Sequence, residues 1–213
     1  MLRVTEIFRS IQGESTHAGR PCTFVRLTGC PMRCVWCDSE YTFSGGENVS
    51  LDKVLDQVRD FGCNLVEITG GEPLAQKEAF TLIARLCAEG YEVLVETGGF
   101  FPTDEVDPRA KIILDIKCPN SGEEPRNHWP NLERLRADKD EVKFVIASFE
   151  DWKYAQDVIE RYDLTKRAKI LVSPAWNSID LKHLADWVSG SGLDVRMQLQ
   201  LHKYVWGPEA RGV

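Results

Sequence analysis

The sequence of 213 residues lacks several features, and each lack excludes a class of protein. It has no apolar run near the roughly 18 residues that a membrane-spanning helix needs, and it begins without the apolar segment of a signal peptide. It also has no basic excess, since 26 Lys and Arg stand against 33 Asp and Glu. The net charge of −7 argues against a general nucleic-acid binder. We therefore expect a cytoplasmic protein with neither a nucleic-acid nor a membrane partner, in a compartment where thiols stay reduced.

Repeats and low-complexity segments are missing as well, whereas apolar residues make up 43% of the chain, which is enough for a sizeable core. Short apolar runs alternate with amphipathic segments, and this alternation favours parallel strands joined by crossover helices. The predicted strands are Thr23–Leu27, Leu65–Thr69, Glu92–Glu96, Lys111–Ile116, Glu141–Ala147, Lys169–Val172 and Val195–Leu201, with an edge strand at Arg3–Ser10. The predicted helices are Leu51–Phe61, Lys77–Glu89, Asn131–Ala137, Phe149–Arg161 and Ile179–Val188, the first capped by Ser50 and the last preceded by Asn177 and Ser178.

The chain is too short for a complete eight-stranded barrel, which takes about 250 residues. We predict a single α/β domain over residues 1–213, with a partial TIM-type barrel of about six parallel strands and crossover helices. A flat doubly wound sheet is the alternative. Both folds bind ligands at the carboxyl ends of their strands. Polar and glycine-rich loops follow five of the predicted strands, so we expect these loops to share one pocket.

Three of the seven cysteines, Cys30, Cys34 and Cys37, form a C-x3-C-x2-C pattern after the first parallel strand. A structural zinc prefers four protein ligands, and no fourth Cys or His lies in this loop. Three thiolates instead suit a cubane iron–sulfur cluster that leaves one iron open to another ligand. A zinc-bound structural module with a distant fourth ligand is the alternative. The other cysteines are expected to be small buried hydrophobic residues: Cys22, Cys63, Cys87 and Cys118.

This pattern, with an aromatic residue just before its last cysteine, resembles the radical S-adenosylmethionine superfamily. The Gly70-Gly71-Glu72-Pro73 turn after the next strand is similar to the superfamily's second motif. The resemblance implies a 4Fe–4S cluster whose open iron is chelated by S-adenosylmethionine, and a 5′-deoxyadenosyl radical formed from that cofactor. Glycine also suits a backbone that approaches a ligand closely. Glu72 either helps this turn hold the cofactor's amine or begins the next helix.

Within that superfamily, the chain resembles the 7-carboxy-7-deazaguanine synthase family of queuosine and 7-deazapurine biosynthesis. The segments that carry the resemblance are Glu6–Ser15, Phe24–Cys30, Cys37–Ser39, Asp115–Gly122 and Gln200–Lys203. It implies a lyase that contracts the ring of 6-carboxy-5,6,7,8-tetrahydropterin to 7-carboxy-7-deazaguanine, releases ammonia, regenerates S-adenosylmethionine and is supported by Mg2+. It also implies an external electron donor such as flavodoxin, and a homodimer, which suits a short barrel with exposed edges.

The resemblance assigns the cofactor to residues at the strand ends. Asp115 can accept from ribose hydroxyls and Lys117 can reach a carboxylate, although the two could simply form an ion pair. Ser39 would bind Mg2+ where the family usually has Thr, with further oxygens from substrate and water. Alternatively, Asp38 and Ser39 cap a turn. Ser173-Pro174 departs from the Gln-Pro of some family members. The expected cofactor-binding residues are Trp36, Cys37, Asp38, Gly71, Glu72, Asp115, Ile116, Lys117, Ser173, Pro174, Ala175 and Trp176.

Arg26 suits the pterin carboxylate because a guanidinium can donate two parallel hydrogen bonds to it, although a surface Arg is the alternative. A period of two would place Arg26, Thr28 and Cys30 on one side of the strand. Gln12 and Glu14 can pair with amide and guanidine edges, unless the segment is an ordinary turn. The resemblance adds Thr69 and the chain-terminal carboxylate. The expected substrate-binding residues are Ile11, Gln12, Gly13, Glu14, Arg26, Thr69 and Val213.

A second enzyme class shares the cluster and the glycine turn, namely the small activating enzymes that install a glycyl radical on a partner protein. Such an enzyme would need a docking surface for a protein loop. The segment Ile11–Glu14 together with Arg26 favours a small acid as the substrate instead.

Overall fold

A computed structural model describes all residues, 1–213. Its strands are β1 (Leu2–Ile11), β2 (Pro21–Leu27), β3 (Glu47–Val49), β4 (Leu65–Gly70), β5 (Glu92–Thr97), β6 (Lys111–Ile116), β7 (Glu141–Ile146), β8 (Lys169–Pro174) and β9 (Val195–Met197). They form one sheet in the order β3-β1-β2-β4-β5-β6-β7-β8-β9. From β2 to β9 in that order, the strands are parallel, whereas β1 runs antiparallel to β2 and β3. The sheet does not close, so the predicted α/β fold with a partial barrel is confirmed.

The helices are α1 (Leu51–Phe61), α2 (Lys77–Ala88), α3 (Phe149–Arg161), α4 (Leu181–Gly190) and α5 (Leu201–Trp206). Helices α1 to α4 pack against β1, β5, β7 and β9 respectively. As predicted, Ser50 caps α1 by accepting a hydrogen bond from the backbone N–H of Lys53. No helix combines the length and the apolarity that a bilayer span requires.

The two faces of the sheet bury different residues because side chains alternate along each strand. On the outer face, residues such as Val66 and Ile68 join the main core of 36 buried residues together with the helices. On the inner face, a small apolar cluster lies near the amino ends of the strands and consists of Phe8, Cys22, Phe24, Leu65, Leu94 and Ile113. Polar side chains follow this cluster toward the carboxyl ends, where the inner face becomes the wall of a cavity.

Near the C-terminus, the strand prediction Val195–Leu201 is wrong in its second half. The strand ends at Met197, and Leu201 begins α5. Alternating apolar and polar residues suggested a longer strand. The Gln198 side chain instead turns inward to bond the backbone N–H of Ser15 and the Ser173 hydroxyl.

Two helix predictions also need correction. Trp129–Arg134 is a 3-10 helix in place of the α-helix predicted at Asn131–Ala137, because the Asn131 amide holds the backbone of Gly99, Phe101 and Thr103. The last predicted helix begins at Leu181, and its cap is Asp180, which accepts from Lys182 N. Asn177, in a left-handed conformation, belongs to the preceding turn.

Candidate active site

A cavity of about 230 Å³ lies at the carboxyl ends of the parallel strands. It collects loops that are far apart in sequence, as the shared-pocket prediction required. Most of the residues predicted to form the site line it: Ile11, Gln12, Gly13, Glu14, Arg26, Cys30, Cys34, Trp36, Cys37, Asp38, Ser39, Thr69, Gly71, Asp115, Lys117, Ser173, Pro174, Ala175, Trp176 and Val213. Glu72 and Ile116 are the predicted site residues that do not line it.

The cysteine loop presents Cys30, Cys34 and Cys37 to the cavity as half-buried free thiols. Burial raises the pKa of all three thiols, and the nearby Lys117 ammonium acts in the opposite direction. No three His, Cys, Asp or Glu side chains converge on a single-ion site. An iron–sulfur cube is a larger object than one ion, and a set of three thiols beside a lysine fits it. The other four cysteines are buried away from the cavity, as predicted.

The glycine turn lies directly against the cysteine loop. A Cβ on Gly71 would lie 2.4 Å from Gly29 O and 2.8 Å from Cys30 Cβ. Gly70 has a φ of +153° and would bring a Cβ within 2.3 Å of Leu27 O. Backbone hydrogen bonds join the two segments, from Gly71 N to Leu27 O at 3.1 Å and from Glu72 N to Gly29 O at 2.8 Å. The glycines are therefore required first by the packing of the two loops, and Gly71 also borders the cavity.

Glu72 is fully buried behind this turn. Its carboxylate accepts hydrogen bonds from Leu74 N at 3.0 Å, Thr97 Oγ1 at 2.8 Å and Gly98 N at 2.8 Å. Of the two interpretations of Glu72, the structure favours the one in which it caps the next helical turn, here the 3-10 helix Pro73–Ala75. The Glu72 side chain lies outside the cavity. All of its hydrogen bonds join the loops that follow β4 and β5.

Asp115 and Lys117 form the ion pair considered above, with 2.7 Å between Lys117 Nζ and Asp115 Oδ2. Burial alone would lower the pKa of Lys117, but Asp115 and Cys34 raise it above its ordinary value, so it stays charged. Asp115 Oδ1 is buried without a hydrogen-bond partner, which leaves an acceptor on the cavity wall for a ligand hydroxyl. Ile116 points to the opposite face and packs in the main core.

Asp38 and Ser39 are tied to the C-terminal segment. Asp38 Oδ2 accepts from Lys203 Nζ at 2.6 Å and from Gln200 Nε2 at 3.1 Å. Ser39 Oγ donates to Asp38 Oδ1 at 3.0 Å, and the residue precedes a 3-10 turn without capping it through its side chain. Lys203 also lies 5.6 Å from the centre of the Trp176 ring, a cation–π contact. These contacts hold the cysteine loop, the loop after β8 and α5 together.

Ser173 lies near the end of β8, and its hydroxyl accepts from Gln198 Nε2 at 2.9 Å. Pro174, Ala175 and Trp176 follow it along the cavity wall. The Trp176 ring packs against the Tyr204 ring with 5.3 Å between their centres. α5 therefore supports this loop from behind.

Arg26 projects into the cavity from β2 and is not a surface side chain. Its Nε donates to Glu6 Oε1 at 2.8 Å, and Tyr41 OH donates to the same oxygen at 2.8 Å. No protein group accepts from its two terminal nitrogens, which remain available to a carboxylate. The prediction that Thr28 shares this side is wrong: β2 ends at Leu27, and Thr28 is buried against Thr5 at 2.8 Å.

The segment Ile11–Glu14 reaches the cavity at the end of β1. A Cβ on Gly13 would lie 2.2 Å from His202 Nδ1, so a larger residue here would have to displace the His202 ring. Sequence reasoning did not assign several polar residues of the cavity to the site, although Gln200–Lys203 carries part of the family resemblance: Glu67, Glu96, Lys143, Gln200, His202 and Lys203. A signal was present for the first three, since Glu67 and Lys143 interrupt the apolar runs Leu65–Thr69 and Glu141–Ala147, and Glu96 ends the run Glu92–Glu96.

Comparisons with known proteins identify the relatives of the chain. Residues 24–118 match the model of the Radical SAM superfamily. The 7-carboxy-7-deazaguanine synthases of Chlorobaculum tepidum and Koribacter versatilis are each 44% identical to the chain over its whole length, covering 97% and 100% of those proteins. Among solved structures, QueE from Escherichia coli superposes with a TM-score of 0.74 at 24% identity, covering 94% of both chains. At that identity the likeness concerns the fold.

Proposed function

Because the chain belongs to the 7-carboxy-7-deazaguanine synthase family, within the radical S-adenosylmethionine superfamily, we propose that it is a lyase that converts 6-carboxy-5,6,7,8-tetrahydropterin to 7-carboxy-7-deazaguanine and ammonia. The observation that carries this function is one cavity that brings the cysteine loop, the glycine turn and the Gln12–Arg26 region together. Residues 1–213 act as one radical S-adenosylmethionine domain, and the product serves queuosine and 7-deazapurine biosynthesis.

Cys30, Cys34 and Cys37 would hold the 4Fe–4S cluster. When bound, the cluster and S-adenosylmethionine would supply the radical chemistry that removes hydrogen from C6 of the pterin. The chain's own task is to place that carbon correctly. Lys117 stays charged beside the thiols and offsets part of the negative charge of a thiolate-bound cluster.

The cofactor's remaining groups would lie along the strand ends. The unpartnered Asp115 Oδ1 supports a ribose hydroxyl contact, and Lys117 a carboxylate contact. The backbone of Gly71 lies at the cavity wall, where it would contact the cofactor. The Trp176 ring and the neighbouring backbone of the loop after β8 would contact the adenine. Because Ser173 already bonds Gln198, it contributes to this loop mainly by fixing its shape.

The pterin would lie between Arg26 and the segment Ile11–Glu14. The two free terminal nitrogens of Arg26 suit the carboxylate. Gln12 and Glu14, with Thr69 on the neighbouring strand, suit the amide and guanidine edges. Val213 lines the same cavity from the C-terminal segment, where the Arg211 guanidinium stacks on Tyr41 with 4.2 Å to the ring centre.

Ser39 would bind Mg2+ together with substrate oxygens and water, because a single hydroxyl is a weak site for this ion. Asp38 is the neighbouring carboxylate, but Lys203 and Gln200 occupy one of its oxygens. The ion would therefore be held firmly only when the substrate is present.

The proposed reaction and the exposed surface of the chain support the following partners and location. A small-molecule substrate is acted on with an electron from an external donor such as flavodoxin. Tyr204, Val205 and Trp206 expose apolar surface on α5, which supports a homodimer. The free cysteines and the oxygen-sensitive cluster suit the cytoplasm, where thiols stay reduced.

The function is tested by anaerobic reconstitution with iron and sulfide, followed by incubation with 6-carboxytetrahydropterin, S-adenosylmethionine, Mg2+ and a reductant. Mass spectrometry should detect 7-carboxy-7-deazaguanine, and ammonia should appear in equal amount. Cys34→Ala should abolish turnover, whereas Cys63→Ala, a buried cysteine outside the cavity, should preserve it and the visible absorption of the cluster. A colourless zinc protein, or cofactor cleavage with no change in the pterin, would contradict the proposal.

A further inference from the structure

The floor of the cavity carries an unusual set of charges on the inner face of the sheet. We define the floor cluster as Glu14, Glu67, Glu96 and Lys143, all of which line the cavity. Glu67 on β4 and Lys143 on β7 are only 2% and 5% exposed. The cluster therefore places three carboxyl groups near one ammonium, with Glu67 and Lys143 withdrawn from water, while the side chains of Glu14 and Glu96 stay 14% and 24% exposed at the cavity.

The contacts within the floor cluster are direct. Lys143 Nζ donates a hydrogen bond to Glu96 Oε1 and lies 3.4 Å from Glu14 Oε2. The Glu67 carboxyl group is close enough to Glu96 for Glu96 to shift its pKa, and its Oε2 accepts a hydrogen bond from the Gln12 amide. Glu14 is also bonded by Gln200 and Gln198, so its two oxygens have partners of their own.

These contacts shift the pKa values of the two neighbouring carboxyl groups in opposite directions. Burial and the adjacent Glu96 raise the pKa of Glu67 well above its ordinary value, which favours its protonated form, the form that donates a proton. Burial also acts to raise the pKa of Glu96, but Lys143 and the hydrogen bonds from Lys143 and Glu67 lower it below its ordinary value. The lowered pKa favours the ionised form of Glu96, which is the form that accepts a proton.

Fold stability does not explain this arrangement. Two residues earlier on the same faces of β4 and β5 stand Leu65 and Leu94, which pack well in the apolar cluster. Leaving water costs each buried charge several kcal/mol, and an apolar replacement of similar size is often neutral or stabilising. A buried acid and base side by side on a cavity wall are typical of a site that moves protons.

The proposed lyase reaction needs such a site. Ammonia leaves when the C–N bond breaks and its electron pair goes to nitrogen. The departing amine gains one proton, and one proton is lost from a ring carbon as the aromatic ring forms. The net change is loss of NH3, so no oxidant or reductant is required at this stage.

We propose that Glu67 and Glu96 are the acid and the base of this ammonia-releasing step, with Lys143 as the positioning residue that keeps Glu96 ionised. Glu96 takes the carbon-bound proton and Glu67 gives a proton to the leaving amine. The hydrogen bond between the two carboxyl groups then returns the proton to Glu67, so both groups regain their starting states. This inference rests on the proposed function and assigns residues to its final step.

The test separates the radical step from ammonia release. Reconstituted wild type, Glu67→Gln and Glu96→Gln are given pterin deuterated at C6, and deuterium entering S-adenosylmethionine or 5′-deoxyadenosine is measured beside ammonia and product. We expect both variants to keep deuterium transfer while ammonia release slows by about two orders of magnitude. A ring-contracted amine isomeric with the substrate should accumulate.

The matched control is Glu141→Gln, because Glu141 is a fully buried carboxylate on β7 that pairs with Lys111 outside the cavity. It should release ammonia at the wild-type rate. Iron content and circular dichroism establish that each variant is folded and loaded. Unchanged ammonia release in Glu67→Gln and Glu96→Gln would overturn the inference, as would equal loss of deuterium transfer and ammonia release. Wild type that makes no product would instead refute the proposed function itself.

Discussion

Replacing Gly71 by Ala tests how the cysteine loop is built. An added Cβ would lie 2.4 Å from Gly29 O, whereas real Cβ contacts essentially never fall under 3.0 Å, so the loops must separate by roughly 0.6 Å. The atoms it meets belong to backbone and to Cys30 Cβ. They cannot turn aside as the end of a flexible side chain would.

The expected magnitude follows from this overlap. Overpacking a well-packed site costs about 1–3 kcal/mol. For a chain of this size each kcal/mol lowers Tm by about 2–4 °C, so Tm should fall by about 2–12 °C. The displaced Cys30 should also lower the iron content after reconstitution. Thermal unfolding of the protein before cluster loading, and iron analysis after it, measure the two effects separately.

Gly190→Ala is the matched control, since nothing lies within 4 Å of its added Cβ and Gly190 has no positive φ in α4. It should leave iron content unchanged and keep or slightly raise Tm. Wild-type Tm and iron content in Gly71→Ala would show that the two loops tolerate separation. The packing account of the glycine turn would then be refuted.

Three further predictions concern binding and pH. Arg26→Lys should weaken pterin binding by about one to two orders of magnitude, because a charged hydrogen bond is lost. The affinity for S-adenosylmethionine, measured by calorimetry in parallel, should stay the same. An equal loss of affinity for both ligands would contradict this prediction. With iron content normal, Ser39→Ala should lose the stimulation of turnover by Mg2+, and Ser39→Thr should keep it. Full Mg2+ dependence in the Ala variant would show that Ser39 does not bind the ion. Hydrogen bonds from Arg20 and His17 lower the pKa of Glu92 to about 2 against an ordinary 4.5. Its stabilising effect should therefore be complete above pH 4.5 and disappear as pH falls toward 2. Glu92→Gln should be less stable than wild type at pH 6 but equal to it near pH 2 in denaturant titrations, and a constant difference would contradict the assignment.

Local pattern was sufficient for much of the fold and part of the site. The bounds of α1, α3 and β6 match the sequence prediction, because a capping residue or a short apolar run marks each end. The cysteine motif and the glycine pair could also be recognised from the sequence. Each is a short run of residues within a single loop, so no long-range contact is needed to bring its members together.

The errors fall where long-range contacts override a local pattern. Met197 ends β9 because Gln198 turns toward Ser15 and Ser173, which lie far away in the sequence. Asn131 is held by the loop after β5 and does not extend a helix. Glu72 looked like a ligand because it follows two glycines, yet its partners Thr97 and Gly98 lie on another strand end.

By itself, the sequence determined which residues could carry the chemistry: three cysteines in one loop, a glycine turn, and Arg26 within an apolar strand. Only the tertiary structure decided that Glu67, Glu96 and Lys143 share a cavity floor, and that Asp38 is bonded to Lys203 across 165 positions of chain. The physical reason is that such contacts depend on strand register and on the curvature of the whole sheet. Both are set by packing among distant elements, and no local pattern of residues specifies them.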